Sequence, residues 1–125
     1  MEAYAAGPAI ARRYREQVAG ADLDARAIAE LARRGDGVAR QIFDDTGLYL
    51  GRAIAAAANL LNPRKVVLGG GISASLDLFR PTLELTLDEL VLAQTRQHLV
   101  VEPTALGYHA ALLGAATVAQ AQLRT

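Results

Sequence analysis

The chain has 125 residues with 13 basic and 13 acidic side chains, so its formal net charge is zero, and 52% of its residues are hydrophobic. This length fits one domain or part of one, and the balanced charge gives no support for nucleic-acid binding. The absence of cysteine excludes disulfides, thiolate zinc sites and thiol nucleophiles within the chain. The lack of cysteine and of a secretory segment at the amino terminus together favour a cytoplasmic location.

Two helices are predicted at the start of the chain. The first covers residues 2–18 and is expected to bend at Gly7-Pro8, because proline inside a helix removes a backbone hydrogen bond. The second covers residues 24–34, and Asp24 is placed to cap its amino terminus.

A third and longest helix is predicted over residues 36–61, with Asp36 as its cap. Small residues recur at every fourth position along it, at Gly47, Gly51 and Ala55. Because glycine inside a helix costs about 1 kcal/mol relative to alanine, this ridge indicates that another backbone comes very close.

The second half of the chain predicts a βαβ unit. Continuous apolar runs at residues 66–68 and 99–101 are typical of short strands buried on both faces in a parallel sheet. A helix over residues 76–93 joins them and is expected to fall into two pieces at Pro81. A last helix is predicted over residues 107–122, with small residues that suit packing against the ridge of the third helix.

The predicted sheet is incomplete. Two parallel strands do not form a stable core by themselves, and the helices exceed what two strands can cover. Either another chain completes the sheet, or sequence that would precede Met1 is absent. The second interpretation is favoured here.

The feature with most chemical interest is the glycine loop that follows the first strand, at Gly69, Gly70 and Gly71. Open α/β sheets bind ligands at the carboxyl ends of their strands, and glycines let a backbone approach a flat ring or a phosphate. The loop matches neither the Walker A motif nor the G-x-G-x-x-G fingerprint. Glycine count alone leaves two readings open: a ligand-binding loop, and a tight turn without a ligand.

No metal site is predicted. His98 and His109 are the only histidines, and no carboxylate stands at metal-ligand spacing from them. The adjacent charged residues are interpreted as solvated helix faces: Asp44-Asp45, Arg12-Arg13-Arg15 and Arg33-Arg34.

Several motifs together carry a resemblance to a known family. They are EAYAAGPAIA at residues 2–11, LLNPRKVVLGGGIS at 60–73, ALG at 105–107 and ALLGAA at 111–116. On these motifs the chain resembles the carboxyl-terminal portion of the ROK family, whose name joins repressors, open reading frames and sugar kinases. The resemblance covers nearly the whole chain.

The resemblance implies an α/β fold that is the carboxyl-terminal part of an actin-like, ribonuclease-H-like ATPase lobe. Such a lobe would be helix-rich, with a βαβ unit and an incomplete sheet, and residues 1–125 would form one segment of it. A sugar and ATP with Mg²⁺ would bind between two lobes. By position, Gly69, Gly70 and Gly71 match the loop near the adenosine of ATP, and Glu2 matches a glutamate that binds a sugar hydroxyl. A homodimer and the absence of any membrane association are also expected.

The chain departs from the family pattern in what it lacks. It has no phosphate loop of the D-x-G-x-T kind, no matching catalytic aspartate and no His-and-Cys zinc site, so no residue is assigned a catalytic role. The first hypothesis is therefore an inactive fragment of an ATP-dependent, glucokinase-like kinase for a hexose or N-acetyl hexosamine. The alternative is the effector-binding half of a sugar-responsive repressor, the one case in which nucleic acid would be a partner. A third hypothesis is a free-standing remnant that only dimerises.

Overall fold

The computed structural model describes residues 2–106 and 119–120, with side chains from residue 4 onward. Most of the predicted last helix, over residues 107–122, therefore lies outside the described residues. The described elements in chain order are α1 (Glu2–Ala5), α2 (Gly7–Gln17), α3 (Ala25–Arg33), α4 (Gly37–Leu61), β1 (Lys65–Leu68), a 3₁₀ helix (Gly71–Ser75), α5 (Leu76–Leu90), α6 (Ala93–Arg96) and β2 (Val100–Pro103). No helix in this part of the chain is both long and apolar enough to cross a membrane.

The predicted caps fix the ends of the two central helices. The Asp24 carboxylate accepts a hydrogen bond of 2.8 Å from the backbone N–H of Ala27, and Asp36 does the same for Ala39. These bonds satisfy donors that have no partner inside the helix. At the other end of α4, Asn62 takes a left-handed conformation with φ of 47° and stops the helix.

The first predicted helix is divided, as its Gly-Pro sequence indicates. Ala6 is extended and is the N-cap of α2, and Pro8 lies in the first turn. Proline is tolerated there because the first backbone N–H groups of a helix have no acceptor within the helix. The short α1 is held against α4 by the ring of Tyr4, which stacks on Tyr49 with centroids 3.8 Å apart. The hydroxyl of Thr46 also donates to the carbonyl of Tyr4 at 3.1 Å.

The small-residue ridge of α4 meets another backbone, as predicted, but the partner among the described elements is α5. A Cβ atom built on Gly47 would lie 2.5 Å from the carbonyl oxygen of Phe79, and one built on Gly51 would lie 2.7 Å from the Cβ of Thr86. The pairing of this ridge with the last helix, which the sequence predicts, falls outside the described residues. The two glycines let α4 and α5 form the centre of the core.

The two strands are parallel and joined by α5 and α6, which confirms the βαβ unit. Their register pairs Lys65 with Val100 and Val66 with Val101. The prediction that both strands are buried on both faces was wrong, because among the described residues only one face of the strands packs on the helical core. On the other face Val67 is 56% exposed, and Lys65 pairs with Glu102 at 2.8 Å.

The prediction that Pro81 divides the helix over residues 76–93 was also wrong, because α5 continues through it. Proline removes one backbone hydrogen bond, but Pro81 lies on the exposed side of α5, where water can satisfy the freed carbonyl. The helix instead ends at Leu90, because the backbone of the next residue, Val91, is extended while its side chain is buried in the core. A separate turn of helix, α6, follows.

Candidate functional site

The glycine loop makes a sharp change of direction at the carboxyl end of β1. Gly70 has φ of 79° and ψ of −177°, a combination that is essentially restricted to glycine. Its carbonyl accepts bonds from the backbone N–H of Ser73 at 3.2 Å and from the Ser73 hydroxyl at 2.7 Å. These contacts turn the chain directly into the 3₁₀ helix. The loop is therefore a turn held by hydrogen bonds, and its three glycines are exposed.

A cavity of about 1050 Å³ lies beside this loop. One wall is the loop with the 3₁₀ helix, another is formed by α2 and α3, and the end of β2 closes a third side. The lining is mostly apolar and includes Ile10, Ala29, Phe43 and Ile72. Its volume lies at the upper end of the range for small-molecule sites, which are mostly apolar with a few polar groups for orientation.

The rim of the cavity is held together by one ion pair between α3 and α5. The Arg33 guanidinium donates from Nε and Nη2 to the two carboxylate oxygens of Asp77, both at 3.0 Å, and from Nη1 to Glu30 at 2.8 Å. This bidentate hydrogen bond from Arg33 lowers the pKa of Asp77 below its ordinary value of 3.8. The pair links α3 to the first turn of α5, which directly follows the 3₁₀ helix of the opposite wall.

The structure brings two of the predicted site residues, Gly70 and Gly71, to the cavity. Gly69 precedes them outside the cavity lining. Glu2 begins α1, which leads into α2 at the cavity wall, but its side chain lies outside the described ones. His98 is 3.0 Å from the Asn62 side-chain oxygen, and His109 is outside the described residues. Within residues 2–106, no three His, Cys, Asp or Glu side chains form a cluster that could hold a metal ion.

Most of the cavity could not be predicted from the sequence, because α2 and α3 are distant in sequence from the glycine loop. The assignment of Arg13 to a solvated face was wrong. That side chain is only 13% exposed and forms an ion pair with Asp45, 32 residues away. The pair joins α2 to α4 and so supports the cavity wall from behind. No local pattern distinguishes Arg13 from its exposed neighbours Arg12 and Arg15.

The two neighbouring glycines of the loop should respond differently to alanine. We expect Gly70→Ala to lower the free energy of unfolding by about 1–3 kcal/mol, because its φ of 79° is strained for any L side chain. Gly69→Ala should leave stability unchanged or slightly raised, since nothing lies within 4 Å of the added Cβ. Urea unfolding of both variants tests this. Equal losses would show that the loop conformation differs from the one described.

The cavity lies at the carboxyl ends of parallel strands, next to a glycine loop, which is the position where open α/β sheets bind their ligands. Comparison with known proteins then identifies the family of the chain. The sequence matches the family model described as ROK family over residues 1–122, and the chain belongs to this family.

Both repressors and kinases are among its relatives. The chain is 31% identical to the DNA-binding transcriptional repressor Mlc of Escherichia coli, in a match that covers 82% of this chain and 25% of Mlc. It is 32% identical to the kanosamine kinase of Amycolatopsis mediterranei over 95% of the chain and 39% of the kinase. A ROK glucokinase from Streptomyces griseus, solved with glucose and AMPPNP, superposes with a TM-score of 0.74 at 28% identity, over 94% of this chain and 43% of that one.

These comparisons confirm the predicted fold class, a helix-rich α/β fold shared with ROK sugar kinases of actin-like ATPase architecture. They support the family without deciding between its two roles. The chain spans between a quarter and about two fifths of the length of the three proteins.

Proposed function

We propose that the chain is the carboxyl-terminal segment of a ROK sugar kinase, and that its cavity binds the adenosine portion of ATP. The observation that carries this proposal is the position of the cavity, between the glycine loop and α3 at the carboxyl ends of both strands. The uncovered backbone at Gly70 and Gly71 allows close approach of a ribose, and the apolar lining suits a purine ring.

The sugar site is proposed at Glu2, one short helix before the cavity wall. A carboxylate accepts hydrogen bonds from two hydroxyl groups with charge-assisted strength, which suits a hexose or N-acetyl hexosamine. The relative from Streptomyces griseus was solved with both glucose and the ATP analogue AMPPNP, which supports the pairing of the two ligands. Mg²⁺ would bind together with the ATP phosphates, as it commonly does in nucleotide sites.

A segment of this kind should not catalyse phosphotransfer alone. The chain has no D-x-G-x-T phosphate loop and no assigned base to take the proton from a sugar hydroxyl. We expect no detectable sugar phosphate when it is incubated with Mg-ATP and glucose or N-acetylglucosamine, measured by a radiolabelled phosphate assay. Turnover above the level of a heat-treated sample would contradict the proposal of an incomplete kinase.

Nucleotide binding is the property that the isolated chain should retain, weakly, because only part of the site is present. Ala74 is an exposed residue of the 3₁₀ helix on the cavity wall, so Ala74→Phe should obstruct the part of the cavity beside the glycine loop without disturbing the core. We expect calorimetric titration with ADP to detect binding by the native chain and none by this variant.

Ala57→Phe provides the matched control, because Ala57 is exposed on α4 and outside the cavity lining. It should bind ADP like the native chain. Loss of binding in both variants, or in neither, would place the nucleotide elsewhere.

A repressor is the second candidate function, because Mlc matches 82% of the chain at an identity similar to that of the kinase. In that case the chain would be the effector-binding half of a sugar-responsive repressor. The genomic sequence upstream of the Met1 codon, read in frame, separates the two. A phosphate loop with a catalytic aspartate supports the kinase, and a winged-helix segment supports the repressor.

A further inference from the structure

One charged side chain on the cavity wall has no partner among the described residues. Four charged residues of the described part of the chain line the cavity: Asp24, Arg26, Glu30 and Arg33. Asp24 caps α3, and Glu30 pairs with Arg33, which also holds Asp77. Arg26 is exposed in the first turn of α3 and forms no hydrogen bond or ion pair with the described part of the chain. Its guanidinium is therefore available to a ligand.

The surroundings of Arg26 do not favour a phosphate. Asp24, the N-cap residue of α3, lies two positions before Arg26, and Glu30 lies four positions after it. Asp77 is held at the same rim by its hydrogen bonds to Arg33. Among the described residues, the three carboxylates outnumber the two guanidinium groups and give this rim a formal negative charge: Asp24, Glu30 and Asp77 against Arg26 and Arg33. A phosphate placed here would face that negative charge, whereas a neutral purine ring would not.

The apolar walls favour the ring as the partner. Guanidinium groups are planar and stack on aromatic faces, with an attraction that increases where water is excluded. We propose that Arg26 stacks on the purine base of the bound nucleotide and is a nucleotide-binding residue of this cavity; this inference rests on the adenosine site of the proposed function. The phosphates then extend away from α3, outside the reach of Arg26.

The experiment measures the affinities of the 125-residue chain for adenosine, ADP and ribose 5-phosphate by NMR titration. We expect Arg26→Ala to weaken adenosine and ADP binding by the same factor, about fivefold, and to leave the base-free ribose 5-phosphate unaffected. Arg34→Ala is the matched control, because Arg34 is an exposed arginine at the other end of α3 and outside the cavity lining. It should leave all three affinities unchanged.

Each other outcome overturns a distinct part of the proposal. A native chain that binds neither adenosine nor ADP would reject the proposed nucleotide site itself. If the native chain binds both and Arg26→Ala binds them equally well, only the role of Arg26 is rejected. Weakening confined to ADP would show that the guanidinium pairs with phosphate, and equal weakening by Arg34→Ala would reduce the effect to overall charge.

Discussion

Replacing Leu83 with alanine is expected to lower the free energy of unfolding by about 2–5 kcal/mol. Leu83 lies on the buried face of α5 and is completely inaccessible to solvent. Truncation removes buried methyl groups and leaves a cavity next to the α4 ridge, where the surrounding helices can relax only in part. Since domains of this size are stable by about 5–15 kcal/mol, the variant should lose a large fraction of its total stability.

Leu85→Ala is the matched control for this prediction. It makes the same chemical change two residues away on the same helix, where the side chain is 69% exposed. The change in stability should stay within about 0.5 kcal/mol. Urea titrations of both variants, followed by circular dichroism, measure the difference. Similar losses in the two variants would show that α5 does not bury the face described here.

The second large effect is expected from Gly47→Ala, which should lower the free energy of unfolding by about 1–3 kcal/mol or more. The new Cβ would stand 2.5 Å from the carbonyl oxygen of Phe79 and 3.1 Å from the backbone nitrogen of Leu83. These are backbone atoms, so α4 and α5 would have to move apart. The alanine gains about 1 kcal/mol of helix propensity, which is insufficient to offset the lost packing.

Gly37→Ala separates the effect of helix propensity on the free energy of unfolding from the effect of packing. Gly37 begins α4, and nothing lies within 4 Å of a Cβ added there. This variant should be as stable as the native chain or slightly more stable, measured by the same unfolding curves. A Gly47→Ala variant of native stability would contradict the close approach of α4 and α5.

Local signals in the sequence were sufficient for the helices that have capping residues. Asp24 and Asp36 were placed correctly because an N-cap side chain acts on the backbone three residues later, a distance that sequence alone displays. The glycine ridge of α4 correctly predicted a close helix neighbour, since interior glycine requires a compensating contact. Its partner within the described residues, α5, depends on tertiary packing that no local pattern records.

The strand faces and the cavity depend on distant residues and could not be predicted in the same way. Val67 follows the apolar pattern of a buried strand, yet its exposure is decided by which elements cover that sheet face. The glycine loop was recognised as a candidate site, but its turn into a 3₁₀ helix has no periodic signal. The opposite wall at Arg26 and Glu30 comes from a helix about 40 residues earlier, brought there by the fold.

The most direct test of the adenosine site is the two-dimensional ¹H–¹⁵N NMR spectrum of the chain during addition of ADP. We expect concentration-dependent shifts of the amide signals of Gly70, Gly71 and Ile72 and of the α3 residues that face the cavity. The signals of residues 88–97, at the far end of α5 and in α6, should remain in place. An unchanged spectrum at millimolar ADP, or shifts confined to residues 88–97, would contradict the assignment of this cavity to a nucleotide.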